Sequence, residues 1–171
     1  MAPPIRSAAR LGISYRPVED DDLPFLAEVY ISTRREEVAQ TGWPAEQQDA
    51  FLRHQHEAQH AHYMNAYRNA EFLVVERDGR AIGRLYLYES ASEMRIVDIA
   101  LLPEARGSGI GEAILRDIGE DVASRGKAVA VHVEKFNPAR RLYERLGFAA
   151  IEEKGVYDLM EWRPGGAAGE S

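Results

Sequence analysis

The chain has 171 residues, 45% of them hydrophobic and 29% charged, enough for one well-filled core and short for two domains. Its 21 Lys and Arg against 28 Asp and Glu leave a net charge of −7, which argues against a general nucleic-acid binder, because phosphates need a basic surface. With no cysteine, disulfides, thiolate metal sites and cysteine nucleophiles are excluded together, and a reducing compartment fits.

Residues 1–12 and the tail 164–171 are rich in small residues, Pro and Gly and are expected to be mobile ends around one domain, 13–163. ISYRPV (13–18) alternates as a first strand. The acidic EDDD then opens a helix with Leu23, Leu26, Val29 and Tyr30 on one side. TGWP (41–44) breaks it, and a second helix from Ala45 to about Tyr67 carries a thin stripe of Leu52, Tyr63 and Tyr67. EFLVVERDGRAIGRLYLYES is a hairpin about Asp78-Gly79. EMRIVDIALLP is a third β-rich run, apolar enough at its end to lie centrally. A helix from Gly109 to about Ser124 follows, with Ile110, Ala113, Ile114, Ile118 and Val122 at helical spacing. KAVAVHVE is a strand, NPARRLYERLGF a short helix closed by Gly147, and AAIEEKGVYDLMEW two strands about Lys154-Gly155. The order βααβββαβαββ implies an α/β fold on a mixed sheet, parallel where strand and helix alternate after residue 93. No segment approaches the roughly 20 apolar residues needed to span a bilayer, and MAPPIRSAARLG offers no signal-peptide core. The expectation is a soluble, cytoplasmic protein with no membrane partner.

The stretch PEARGSGIGEAIL (103–115) places Gly107, Gly109 and Gly111 at the start of a helix. Without Cβ atoms the backbone turns sharply and a ligand can approach its N–H groups. Those groups are the unpaired donors of the helix start, where the dipole favours an anion. Phosphate or pyrophosphate is the expected guest; a tight strand-to-helix turn is the plainer alternative. A nucleoside-triphosphatase loop would end in Gly-Lys-Ser/Thr, but Gly111 precedes Glu112. The spelling also differs from Gly-x-Gly-x-x-Gly of dinucleotide folds.

Arg-x-x-Gly-x-Gly over Arg106–Gly111, directly after IALLPE, resembles the pyrophosphate loop of the GCN5-related N-acetyltransferases. A second motif, Asn137-Pro138-Ala139 through Tyr143 to Leu146-Gly147-Phe148, is similar to that family's other cofactor-side signature, and the element order agrees over residues 13–163. The resemblance implies splayed central strands, acetyl-coenzyme A as co-substrate, no metal, and an amine acceptor that is a small molecule or a peptide. The backbone of Arg106, Gly107, Ser108, Gly109, Ile110, Gly111 and Glu112 would cradle the pyrophosphate. Ile99, Ala100 and Leu101 would pair with the pantetheine amides, Val129–Val133 would splay away, and Asn137 would cap the next helix and bond the pantetheine. A homodimer through the C-terminal strands is also compatible with the family. A non-catalytic coenzyme A sensor of the same fold is the rival reading, and acyl-chain length stays open.

Acetyl transfer to an amine requires a base, an oxyanion donor and an acid for the thiolate. Tyr143 stands where the family keeps its acid, and a phenol is protonated at neutral pH; core packing is its alternative role. A peptide N–H near Leu101 would serve the oxyanion. The resemblance makes Glu93, thirteen residues before Arg106 as in some members of the family, the first candidate base, with Asp98, Glu134 and water as rivals. Strict alternation would put Glu93, Arg95, Val97 and Ile99 on one sheet face and Met94, Ile96, Asp98 and Ala100 on the other. Trp43, Tyr86 and Tyr88 could line an acceptor slot or pack in the core. Of His54, His56, His60 and His62 on the second helix, His56 faces inward between Leu52 and Tyr67. A metal at His56 and His60 is the less favoured reading against a largely solvated helix.

Overall fold

The computed structural model describes residues 3–165; Met1, Ala2 and positions 166–171 of the expected C-terminal tail lie outside them. Its elements are β1 (Ile13–Pro17), α1 (Leu23–Ala39), α2 (Ala45–Ala66), β2 (Glu71–Arg77), β3 (Arg80–Glu89) and β4 (Glu93–Leu101), then α3 (Ile110–Ala123), β5 (Ala128–Glu134), α4 (Arg140–Arg145), β6 (Ala149–Lys154) and β7 (Tyr157–Trp162). The seven strands form one sheet in the order β1-β2-β3-β4-β5-β7-β6, antiparallel except for the β4–β5 pair.

Local chemistry sets the element boundaries. Asp78 and Gly79 both take positive φ, 52° and 82°, the backbone of a two-residue hairpin turn between β2 and β3. Before α1, the Glu19 N–H donates to the Asp22 carboxylate at 2.7 Å, and Arg16 of β1 donates to both carboxylate oxygens at 2.8 and 2.9 Å. That pairing holds Asp22 ionised, well below the usual carboxylate range, and fixes where the helix leaves the sheet. In the segment expected as a mobile N-terminal end, the N–H groups of Arg6, Ser7 and Ala8 donate to the buried carboxylate of Asp117 on α3 at 2.8–3.0 Å. Those bonds lay residues 6–8 against α3.

The two faces of the sheet are covered differently. On one face Ile110, Ile114, Ile118 and Val122 of α3 recur every four residues and pack on Leu85 and Leu87 of β3, Ile96 of β4 and Val129, Val131 and Val133 of β5. This is the main core, and Tyr143 and Phe148 close its end. On the other face lie α1 and α2, joined by a smaller cluster of Tyr30, Ile31, Val38 and Leu52.

One irregularity changes which side chains share a face. The β3–β4 register pairs Tyr86 with Asp98 but Leu87 with Ile96, so Val97 is an extra residue, a β-bulge. The expected strict alternation therefore fails at Val97. Tyr88 opposes Arg95 and Tyr86 opposes Asp98, so Arg95, its ion-pair partner Glu93, and Asp98 all lie on the α1–α2 side. Leu87–Ile96 and Leu85–Ile99 face α3 instead.

Candidate functional site

The site begins where two strands part. β4 and β5 pair only from Glu93–Ala128 to Ile96–Val131. Beyond that point Val97–Leu101 of β4 and His132–Glu134 of β5 continue with no ladder between them. Sheet strands that diverge leave backbone donors and acceptors directed into the gap, and such groups require a partner. Because the two strands are parallel, their carboxyl ends lie at the same end of the gap, the usual place for a ligand in α/β sheets.

The glycine loop stands at the first of those ends. A single 3₁₀ turn, Pro103–Ala105, leads from β4 to Gly107 and Gly109, with φ of 75° and 84°. A Cβ at either glycine would touch nothing within 4 Å. Glycine is needed there for backbone conformation, not because the protein crowds it. Gly109 is the N-cap of α3, and no side chain caps that helix. Its first-turn N–H groups thus point, with the positive end of the dipole, at an approaching anion. Ser108 donates its hydroxyl back to the Ala105 carbonyl at 2.9 Å, and Arg106 donates to the Leu101 carbonyl at 2.9 Å and to Ser32 of α1 at 3.2 Å. Glu112, whose charge would oppose a phosphate, is paired with Arg116 at 2.9 Å and Arg145 at 2.6 Å.

At the second end, Asn137 accepts the Ala139 N–H on Oδ1 at 2.8 Å, which shapes the turn into α4 rather than capping the helix itself. An open depression of about 500 Å³, bounded by Lys135, Phe136, Asn137, Arg140, Arg141 and Glu144, adjoins it. Another concavity, about 340 Å³, lies between α3 and Val129, Phe148 and Trp162, beside the paired part of β5. Tyr143 of α4 is 5% exposed and stacks edge-on with Phe148 at 5.3 Å. Burial, aided by the charge of Asp98, pushes its phenol well above the ordinary tyrosine range, so it holds its proton.

The three candidate bases separate clearly. Glu93 sits in the paired part of β4, bound to Arg95 at 2.8 Å and about 16 Å of strand from Asp98. Glu134 is paired with Arg34 of α1 at 3.4 Å. Asp98 is the first residue after the bulge, inside the unpaired segment, and its charge acts on Tyr143, Tyr63 and Tyr86. Of the three, Asp98 is the carboxylate whose charge reaches the Tyr143 phenol.

Sequence reasoning missed the residue behind Asp98. Arg84 of β3 is 2% exposed and donates from Nη2 to Asp98 at 2.6 Å and to Gln59 of α2 at 3.0 Å. Its guanidinium lies over the rings of Tyr86 and Tyr30, 5.3 and 5.9 Å from their centroids. Around it, edge-to-face contacts link Tyr63 and Tyr86 at 5.8 Å, Phe72 and Tyr86 at 4.9 Å, and Tyr67 and Tyr88 at 5.6 Å. His56 is buried as its helix position implies, beside Tyr30 and His60. Burial and the charge of Arg84 push it down to about 4, so it is neutral at physiological pH. Trp43 lies outside this layer, half-exposed against Phe51. The available signal was one cation in AIGRLYLYE, a strand otherwise apolar on both faces. Among the described residues no group of three or more His, Cys, Asp or Glu could hold a metal ion, and no helix is long and apolar enough to cross a membrane.

Solved structures share this architecture. A PaiA N-acetyltransferase from Thermoplasma acidophilum, in complex with coenzyme A, superposes with a TM-score of 0.67 at 20% identity, covering 88% of this chain and 98% of that one. A GCN5-related N-acetyltransferase from Rhodopseudomonas palustris gives 0.62 at 16% identity, covering 95% and 98%. An open mixed sheet with splayed central strands and a glycine loop at its lip is thus the N-acetyltransferase fold. Residues 68–150 match the family model described as the acetyltransferase (GNAT) domain. A protein of Bacillus subtilis (strain 168), provisionally named a ribosomal protein bS18-alanine N-acetyltransferase, is 30% identical over 97 residues, 57% of this chain and 56% of that protein. A glucosamine 6-phosphate N-acetyltransferase of Trypanosoma brucei brucei is 35% identical over 85 residues, 48% of each. The match spans about half the length of these curated relatives. Residues 68–150 thus match the acetyltransferase (GNAT) domain, and the chain has the fold of the GCN5-related N-acetyltransferases.

Proposed function

We propose that the protein is an N-acetyltransferase that moves the acetyl group of acetyl-coenzyme A to a primary amine by direct attack in a ternary complex. The observation that carries this reading is the end of the β4–β5 ladder at Ile96–Val131, with the α3 glycine loop at one lip and α4, which carries Tyr143, following β5 at the other. A pyrophosphate fits the N–H groups of residues 107–112, and an extended amide-bearing arm fits the unpaired edge at Ile99–Leu101. The coenzyme supplies the activated thioester.

In this reading the ammonium of the acceptor gives its proton to Asp98, directly or through water. The amine nitrogen then attacks the thioester carbonyl, whose oxygen takes the displaced electron pair against a backbone N–H near Leu101. Collapse breaks the C–S bond, Tyr143 gives its phenolic proton to the thiolate, and the nitrogen sheds its remaining extra proton to water. Amide and thiol are the products, and solvent restores the proton on Tyr143. Both curated relatives carry names of acetyl transfer to nitrogen, one to a protein alanine and one to an amino-sugar phosphate, which supports the reaction class across different acceptors.

Calorimetry with coenzyme A and release of free thiol from acetyl-coenzyme A with a panel of amines test the proposal together. Saturable binding with amine-dependent thiol release is expected. Replacing Gly109 by Val, which at φ 84° strains the loop and covers its N–H groups, should weaken coenzyme A binding at least tenfold. Saturable binding without thiol release from any amine would replace the enzyme by a non-catalytic coenzyme A binder. No binding at millimolar ligand in folded protein would end both.

A further inference from the structure

The layer between α1–α2 and the sheet contains a cluster of polar atoms whose needs the protein leaves unmet. Arg84 is fully buried, yet its Nε and Nη1 have no hydrogen-bond partner. The Tyr86 hydroxyl, His56 Nε2 and His60 Nδ1 are in the same state. Among the described residues six buried side-chain atoms are without a partner; five belong to this one layer, and the sixth, the Tyr15 hydroxyl, borders the main core. A buried donor without an acceptor is costly, more so when charged, so a stable fold concentrates such atoms where something else completes them.

The arrangement also has a direction. Asp98 stands at the parted strands with its side chain 15% exposed, and Arg84, 3% exposed in its side chain, lies behind it at 2.6 Å. Moving inward from the gap, a guest meets a negative charge first and a positive one second. A lone anion or cation would leave this neutral pair with a surplus charge in a buried site, which is costly. A zwitterion would not.

We propose that the polar layer behind the splayed strands selects an amino-acid-like acceptor, with its reacting ammonium on Asp98 and its carboxylate accepting from the free Nη1 of Arg84, flanked by Tyr86, His56 and His60. This rests on the transferase reading above and specifies its substrate class. Arg84 sets specificity through charge-assisted hydrogen bonds that an amine lacking the carboxylate cannot form. Such bonds discriminate by about tenfold to a hundredfold.

The test compares matched acceptors on the intact protein. Thiol release from acetyl-coenzyme A is measured with free amino acids and with the amines left when their carboxylates are removed, such as phenylalanine against 2-phenylethylamine and leucine against isopentylamine. The best amino acid should exceed its decarboxylated partner at least tenfold in kcat/KM. A ratio below about three for every pair overturns the proposal, as does preference for 2-aminoethyl phosphate over β-alanine. In Arg84→Lys, which keeps a cation for Asp98 but loses the planar donor set, the ratio should collapse toward one through a rise in KM for the amino acid. Should that variant fail to fold, the wild-type ratio decides alone. If no amine turns over, thermal shift of the coenzyme A-loaded protein asks the same question of binding. Saturable stabilisation by amino acids and none by their decarboxylated partners supports the assignment of Arg84 even where the transferase reading has failed, and equal response to both overturns it.

Discussion

The two sides of this sheet solve opposite problems with the same seven strands. Against the sheet α3 presents the aliphatic stripe Ile110, Ile114, Ile118 and Val122, and β3, β4 and β5 answer with Leu, Ile and Val. Against α1 and α2 the same strands present Arg84, Tyr86, Tyr88, Arg95 and Asp98, met by Tyr30, His56, Gln59 and Tyr63. Aliphatic packing needs no partner beyond shape and gains about 25 cal/mol for each Å² removed from water. A polar layer gains little net energy and penalises every unmet atom. The α3 side therefore holds the fold, while the α1–α2 side carries a cost that binding can offset.

That contrast can be broken by substitution. Tyr143→Phe sits at the end of the aliphatic side, where the ring packs on Phe148 and the hydroxyl is the proposed acid. It should lower kcat about a hundredfold to a thousandfold with an unchanged melting temperature; a loss of melting temperature with kcat retained would make Tyr143 a packing residue. Ile114→Ala, at the centre of the α3 stripe, should destabilise by about 2–5 kcal/mol in denaturant unfolding. The paired change Arg84→Met with Asp98→Leu should leave stability within about 2 kcal/mol of wild type or raise it, because a buried ion pair roughly breaks even against apolar replacements. Acetyl transfer in the same protein should nonetheless fall severely. If that double variant instead unfolded as readily as Ile114→Ala, the polar layer would be structural.

The smallest expected effect is pH-dependent. His56 is held near 4 in the folded protein against an ordinary 6.5, so the unfolded chain binds the extra proton between those values. Stability from this group is complete above pH 6.5 and is lost as pH falls toward 4. His56→Gln should therefore lose less melting temperature than wild type between pH 7 and pH 5, by an amount worth at most about 2 kcal/mol. Parallel curves for the two proteins would show that the ring is not buried neutral.

Most of the scaffold was legible because it rests on local rules. The element order, the Asp78-Gly79 turn, the α3 stripe and the inward aspect of His56 follow from periodicity and turn chemistry within a few residues. The candidate site was legible where a motif is contiguous, as over 106–112 and 137–148. It was illegible where neighbours come from distant parts of the chain. Spacing prefers Glu93 and strict alternation sets Asp98 on the opposite face, whereas the bulge at Val97 puts both on one side and the end of the ladder separates them. Arg84 meets Gln59 of α2 and Asp98 of β4, 25 and 14 residues away, and no window of sequence contains that encounter.

By itself the sequence determined the elements, their order and the glycines that admit a positive φ, since these depend on side-chain periodicity and backbone sterics at single positions. Tertiary structure alone decided which carboxylate faces the gap and which buried donors go unpaired. Those outcomes depend on strand register, and one extra residue at Val97 exchanges the faces for everything that follows.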